Sequence, residues 1–278
     1  MIVLKEIKSP LRYPGGKSKA MKFLSRFAGK FKELREPFFG GGSFSLYYAN
    51  REPNIKIVAR DINYDLICFW LELKNNPINF INKVNEIKRT TKDGKKLYTE
   101  ICDRRNLELS DFQRAVDFFV LNRITFSGTI DSGGYSNQSF LNRFTQSSID
   151  RLMSVSELIQ TIHFVHGDYE RDLLDDGEDV LIFLDPPYYS ATKSKLYGKN
   201  GDLHYGFNHY RFFETITKTK HRRIITYDNS DYIRDLYKDY YQIPWELSYG
   251  MTNYKNTECK IGKELLISNF PLESHISL

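Results

Sequence analysis

The stretch VLIFLDPPYYS, residues 180–190, carries five apolar residues straight into Asp185, Pro186, Pro187 and Tyr188. Both prolines lack a backbone N–H and hold φ fixed, so the turn offers acceptors and few donors: the Asp185 carboxylate and the Pro186 carbonyl. A planar amino group can give one hydrogen to each. Tyr188 adds a flat face for an aromatic base, a contact worth about 1–3 kcal/mol in single-strand binders. The competing reading is a loop in which Asp185 caps a neighbouring helix and the tyrosines fill the rim of the core.

A second group lies upstream. In PFFGGGSFS, Gly40, Gly41 and Gly42 separate a short apolar segment from a helix-like one, so backbone can approach a ligand where a Cβ would obstruct it. The turn is neither GxGxxG nor a phosphate loop with its lysine. Asp61 follows Gly40 by 21 residues, at the end of the next strand-like segment IKIVARDIN. An acid at that spacing in doubly wound folds accepts hydrogen bonds from ribose hydroxyls. Together these features imply an adenosine-bearing cofactor. Without a pyrophosphate fingerprint the reading turns from NAD to S-adenosylmethionine, converted to S-adenosylhomocysteine in use.

Parallel strands must carry such groups to one sheet edge. Strand-like and helix-like pieces alternate over residues 36–75 and return after 162 with IHFVHGDY, DVLIFLDPPY, HRRIITYDNS and a closing hairpin at CKIGKELLISNF. Between them, INFINKVNEIKR, KKLYTEICDRRNLE and DFQRAVDFFVLNRITF place apolar residues at helical spacing, with Ser110 or Asp111 to cap the last. The expected organisation is an α/β Rossmann-like unit over 1–77 and 162–278, mostly parallel with a closing antiparallel hairpin, and a helical insert over 78–161. SGTIDSGGYSNQSFLNRF, inside the insert, has the composition of a surface loop.

The 278 residues suffice for a large domain with an insertion, and 41% hydrophobic with 27% charged residues fits a soluble globular chain. A net charge of +5 and a pI near 8.8 suit a polyanionic partner without requiring one. Cys68, Cys102 and Cys259 form no CxxC pair, which argues against a zinc or disulfide framework, and no metal is expected. The charged N-terminus and the lack of any long apolar run lead us to expect a cytoplasmic protein that spans no membrane. Two basic clusters suit phosphates: KRTTKDGKK at 88–96 and ATKSKLYGK at 191–199, the latter with Lys193 and Lys195.

The chain resembles the Dam-like DNA adenine-N6 methyltransferases of the D12 class. LRYPGGK at 11–17, EPFFGGGSFS, ARDIN at 59–63, HGDY at 166–169 and DPPY follow that family's motif order. The resemblance implies a fold that binds S-adenosylmethionine, with Tyr13 and Lys17 bordering the cofactor tail and base pocket. It sets Phe38, Phe39 and Gly40 to Gly42 around the methionine portion, and Asp61 on the ribose. Asp168 and Tyr169 would meet the adenine ring, and Asp185 would lie beside both methyl and target amine; for Asp168, a turn bond to its own backbone is the rival. LNRITFSGTIDSGGYSNQSFLNRF resembles the family's target-recognition hairpin, but departs from the form found in GATC readers. Its Asn122, Arg123, Ser136, Asn137, Gln138 and Arg143 stand where base-edge readers are expected. The implied activity is methyl transfer to N6 of a flipped-out adenine in double-stranded DNA, by a monomer or weak dimer with room for a cognate restriction endonuclease. An RNA adenine or protein-glutamine methyltransferase, or an inactive DNA-binding relative, are the alternatives; glutamine enzymes resemble an Asn-first tetrapeptide, where this chain has Asp185.

Overall fold

The computed structural model describes residues 8–13, 15–191, 207–248 and 261–273. Its strands are β1 (Glu33–Glu36), β2 (Lys56–Asp61), β3 (Ile162–His166), β4 (Val180–Leu184), β5 (Arg222–Asp228), β6 (Tyr241–Ser248) and β7 (Ile261–Ser268). They form one seven-stranded sheet in the order β3-β2-β1-β4-β5-β7-β6. The first five strands run parallel, and β7 inserts antiparallel between β5 and β6. Chain order reverses between β1 and β4. Ligands of open α/β sheets bind in the crevice outside the carboxyl ends at such a point.

The strands alternate between two apolar layers. On β4, Leu181 and Phe183 join one cluster, whereas Val180, Ile182 and Leu184 join the other. The larger layer holds α1 (Met21–Ala28), α2 (Ser43–Ala49) and α3 (Tyr64–Asn75), followed by α4 (Pro77–Thr90), α5 (Gly94–Arg104), α6 (Asp111–Ile124), α7 (Asn137–Arg143) and α8 (Gln146–Leu158). The smaller holds α9 (Glu170–Leu174), α10 (His209–Lys218) and α11 (Asp231–Leu236). Phe80 of α4, Ile101 of α5, Phe119 of α6 and Ile149 of α8 belong to the same cluster as Phe69 and Trp70 of α3. The helices between β2 and β3 therefore share the core of the sheet.

Short side chains set the helix starts. Asn63 accepts from the Leu66 N–H at α3, Asp93 from Lys95 and Lys96 at α5, and Thr145 from Ser148 at α8. At α6 it is Ser110, accepting from Gln113, that caps the helix. Residues 115–124 of α6 are buried on every side, so this helix runs through the core.

β1 departs from the sequence reading, which placed a strand in the apolar EPFF. The strand is Glu-Leu-Arg-Glu, all four residues buried, and Phe38 and Phe39 follow it. Distant partners make that possible. The Arg35 guanidinium donates to Glu33 at 2.6 Å and to the carbonyls of Asp172, Asp175 and Asp176 at 2.7–2.8 Å. The buried Glu33 and Arg35 thus pair with each other, and Lys56 also donates to Glu33 at 2.8 Å, as burial of charge demands.

Candidate active site

The glycine turn joins the end of β1 to α2. Gly40 has φ 48°, and a Cβ there would stand 2.7 Å from Cε1 of Tyr13, so the Tyr13 ring lies directly over the backbone. Gly42 has φ 65°, and a Cβ there would collide with Cζ of the Phe39 ring. Asp61, leaving β2, ties the turn down: its Oδ2 accepts the Gly40 N–H and its Oδ1 the Asn63 N–H, both at 2.9 Å. Burial pushes this carboxyl above its ordinary value, against the opposing hydrogen bonds. The Ile62 N–H also bonds this carboxylate, which with about four acceptor positions still has room for a hydroxyl donor such as one of a ribose. Trp70 completes the support, donating from Nε1 to the Gly40 carbonyl at 3.2 Å.

The tetrapeptide follows β4, next to β1 in the sheet. Lys17, only 3% exposed, places Nζ 2.8 Å from both oxygens of Asp185 and 2.9 Å from the Gly15 carbonyl. The same ammonium lies 5.0 Å from the centre of the Tyr188 ring. Thr226 on β5 donates to Asp185 Oδ1 at 2.6 Å, and the Tyr188 hydroxyl donates to the buried Glu264 of β7. The structure therefore brings Tyr13, Lys17, Gly40 to Gly42, Asp61 and the tetrapeptide to one edge of the sheet. Pro186 is buried and Pro187 half-buried.

Three further groups complete the surroundings. Glu36 is buried at the end of β1 and accepts from both the N–H and the hydroxyl of Ser45. Burial pushes its carboxyl up to about 8, assisted by the charges of Asp185 and Asp61. Phe38 stacks on Tyr169 with ring centres 5.3 Å apart and meets Phe212 edge-on at 5.7 Å. Phe39 is core, wedged against Trp70 and Phe164. Asp168 is exposed and accepts the Glu170 N–H at 3.0 Å, the turn bond expected as its rival role.

The expected base readers divide into two sets. Asn122 and Arg123 sit in buried α6 and do not reach the surface. Asn122 accepts the Arg12 N–H at 2.9 Å and donates to the Arg12 and Gly128 carbonyls at 2.9 and 3.0 Å. It thereby clamps the N-terminal motif onto the helical layer. The Arg123 guanidinium lies 5.2 Å from the Phe119 ring, and burial, aided by Arg12, Arg151 and Arg143, lowers its pKa to about 9. Ser136 caps α7 by accepting the Ser139 N–H, leaving Asn137, Gln138 and Arg143 exposed on that helix.

Residues 137–143 of the expected loop are thus helical. The hairpin before it reduces to the single bridge Thr125–Tyr135 around a tight turn at Ser127, with φ 56°. Gly94, in the basic KRTTKDGKK stretch, is buried against Phe140 and Tyr135, which sets that stretch beside α7. Lys193 and Lys195 lie outside the described residues. Sequence reasoning missed Glu36, Thr226, Glu264 and the clamping role of Asn122. Only Glu36 gave a signal, as an acid adjoining the glycine turn.

The family described as D12 class N6 adenine-specific DNA methyltransferase matches residues 13–251, from Tyr13 through the tetrapeptide to β6 and beyond. The chain belongs to this family. Type II methyltransferase M.MjaIII of Methanocaldococcus jannaschii is 24% identical over 95% of this chain and 100% of its own length. The DNA adenine methylase of Escherichia coli strain K12 is 27% identical over 68% of each chain. The DNA N-6-adenine-methyltransferase of Escherichia phage P1 is 25% identical over 84% of this chain and 31% of its own length. The chain is accordingly an adenine-specific DNA methyltransferase of a class whose function is S-adenosylmethionine-dependent DNA methylation. Its sheet, in which β7 alone runs against the other strands, is the Rossmann-like architecture expected of one. Among the described residues, no helix is long and apolar enough to cross a membrane.

Proposed function

We propose that this chain transfers a methyl group from S-adenosylmethionine to N6 of an adenine flipped out of double-stranded DNA, with Asp185 as the central catalytic residue. The observation that carries the reading is the place of Asp185. It leaves β4 at the point where the sheet reverses order, beside the glycine turn of β1, with Lys17 and Thr226 on its carboxylate. The donor set suits the cofactor: a glycine cradle that a Cβ would fill, a buried acid with room for a further donor, and a half-buried aromatic pair in Phe38 and Tyr169.

Tyr13, Lys17, Phe38 and Gly40 to Gly42 would surround the cofactor's methionine end, with Phe39 backing the glycine turn from the core; Asp61 would meet its ribose, and Asp168 with Tyr169 its adenine. When bound, S-adenosylmethionine supplies an electrophilic methyl group. The chain's task is to make a poor nucleophile ready for it, because the N6 lone pair is delocalised into the ring. Asp185 and the Pro186 carbonyl each take one amine hydrogen, holding the lone pair out of conjugation. Tyr188 stacks on the extruded base and offsets part of the few kcal/mol that flipping costs. Fixing the amine at near-attack distance is the main device, a proximity effect of up to about 7–11 kcal/mol. As the N–CH3 bond forms, the S–CH3 bond of the sulfonium would break with its electron pair passing to sulfur, and the amine would give one hydrogen as a proton to solvent, leaving a neutral methylated amine.

The catalytic unit comprises residues 1–77 and 162–278, and the insert over 78–161 selects the target. Asn137, Gln138 and Arg143 are its exposed readers, and Ser136 holds their helix. Lys193 and Lys195 belong to the phosphate-contacting set. The enzyme acts in the cytoplasm as a monomer or weak dimer, and the type II name of a relative is compatible with a cognate restriction endonuclease. The test is to sequence genomic DNA from an expressing host that lacks adenine methylation. N6-methyladenine in one sequence context is expected with the native chain, and none with Asp185→Ala, which still binds DNA. Unmodified adenine throughout with the native chain refutes the reading.

A further inference from the structure

We propose that Thr226 is a positioning residue for methyl transfer, fixing the Asp185 carboxylate so that one chosen oxygen receives the target amine. The inference rests on the assignment of Asp185 made above. Thr226 belongs to none of the motifs that carry the family resemblance, and 41 residues separate it from Asp185. Its place follows from the sheet. The β4–β5 ladder pairs Leu184 with Ile225, so Thr226 stands one residue further on, opposite the first residue past β4.

Thr226 is 0% exposed, between Ile225 and Tyr227, which join the smaller apolar layer. A purely structural demand there would be met by an apolar side chain, as at Ile224, which joins the larger layer. Burying a hydroxyl is unfavourable unless it is hydrogen-bonded, and this one is bonded to the carboxylate at 2.6 Å.

Counting acceptor sites shows what the bond accomplishes. A carboxylate offers about four lone-pair positions. Lys17 uses one on each oxygen, at 2.8 Å in both cases, and Thr226 uses the second position on Oδ1. Oδ1 is then filled, and Oδ2 keeps one place for an amine hydrogen. Without Thr226 the two oxygens would be equivalent to Lys17. The χ2 torsion of aspartate is broad and close to two-fold, so nothing would then choose between orientations of the carboxylate plane. Thr226 breaks that symmetry and leaves the open acceptor on Oδ2.

The test compares Thr226→Val, nearly isosteric but without the hydroxyl, with Thr226→Ser, which retains it. Full-length chains are assayed with labelled S-adenosylmethionine and genomic DNA from a host without adenine methylation. A hydrogen bond to a charged group is worth enough to predict a fall in kcat of about ten- to hundredfold for Thr226→Val, with KM for DNA and cofactor within about twofold. Thr226→Ser should restore kcat to within about threefold of the native chain. A merely structural role would lower the folded fraction in both variants without separating kcat from KM. If Thr226→Val does not fold, Thr226→Ala against Thr226→Ser makes the same comparison. Native kcat in a folded variant lacking the hydroxyl overturns the proposal, as does a loss that serine fails to rescue. Asp185→Ala, assayed in parallel, separates the two levels. If it is inactive while Thr226→Val is native-like, only the positioning role fails; if it retains activity, the assignment of Asp185 itself fails.

Discussion

Replacing Glu36 with glutamine should abolish a specific pH dependence of stability. Glu36 is 3% exposed, and burial raises its carboxyl from 4.5 to about 8, with the Asp185 and Asp61 charges adding to the shift and the Ser45 hydrogen bonds opposing it. The sign follows from linkage. Between about pH 4.5 and about 8 the folded chain keeps a proton that the unfolded chain has released, so stability from this group is full below the unfolded value. It is lost as pH rises through that window. A full proton of difference is worth about 1.4 kcal/mol per pH unit, so raising the pH from about 5.5 to about 7.5 costs the ligand-free fold roughly 2–3 kcal/mol. For a chain of this size that is a fall in Tm of about 5–10 °C. In Glu36→Gln the carboxamide oxygen can still accept from Ser45, and no proton is released, so its Tm should lack this component. Thermal unfolding of both chains at the two pH values, without cofactor, measures the difference of slopes. Parallel slopes would refute the argument and mean that Glu36 is ionised in the fold or reached by water.

Two further substitutions test the packing around the site. Gly42→Ala forces a side chain into left-handed backbone, at about 1–2 kcal/mol, and drives its Cβ into the Phe39 ring for a further ~1–3 kcal/mol. Urea unfolding should report both costs, with cofactor affinity falling in the fraction that remains folded. Asn122→Ala removes the clamp on Arg12 and leaves buried groups unpaired, destabilising the fold by about 1–3 kcal/mol. Sequencing of DNA methylated by this variant should show an unchanged context around the modified adenine, whereas loss of a base reader would relax it.

Local patterns in the sequence determined much of the machinery. VLIFL could only be a strand buried on both faces, and the prolines after it had to end it where Asp185 and Tyr188 stand. Three glycines before a helix made a turn over which another group lies closely, and that group is Tyr13. The sequence offered Ser110 or Asp111 as the cap of α6, and Ser110 takes that place, because a short polar side chain beside a helix supplies the acceptor its first N–H groups lack.

Tertiary structure decided what depends on partners distant along the chain. Glu-Leu-Arg-Glu is a poor strand by composition, and it forms β1 because Arg35 reaches carbonyls some 140 residues away. Asn122 and Arg123 have the chemistry of base readers, yet α6 is enclosed on all sides, and burial turned Asn122 into a clamp. SNQSFLNRF has no apolar period to mark it as helical, and α7 forms because Ser136 caps it and it packs on α5 and α6. Asp185 shows the division most plainly. Its residue type and the strand before it were written locally, but Lys17 lies 168 residues before it and Thr226 comes from the neighbouring strand. Sheet order, which no local pattern encodes, selects the groups that hold its carboxylate.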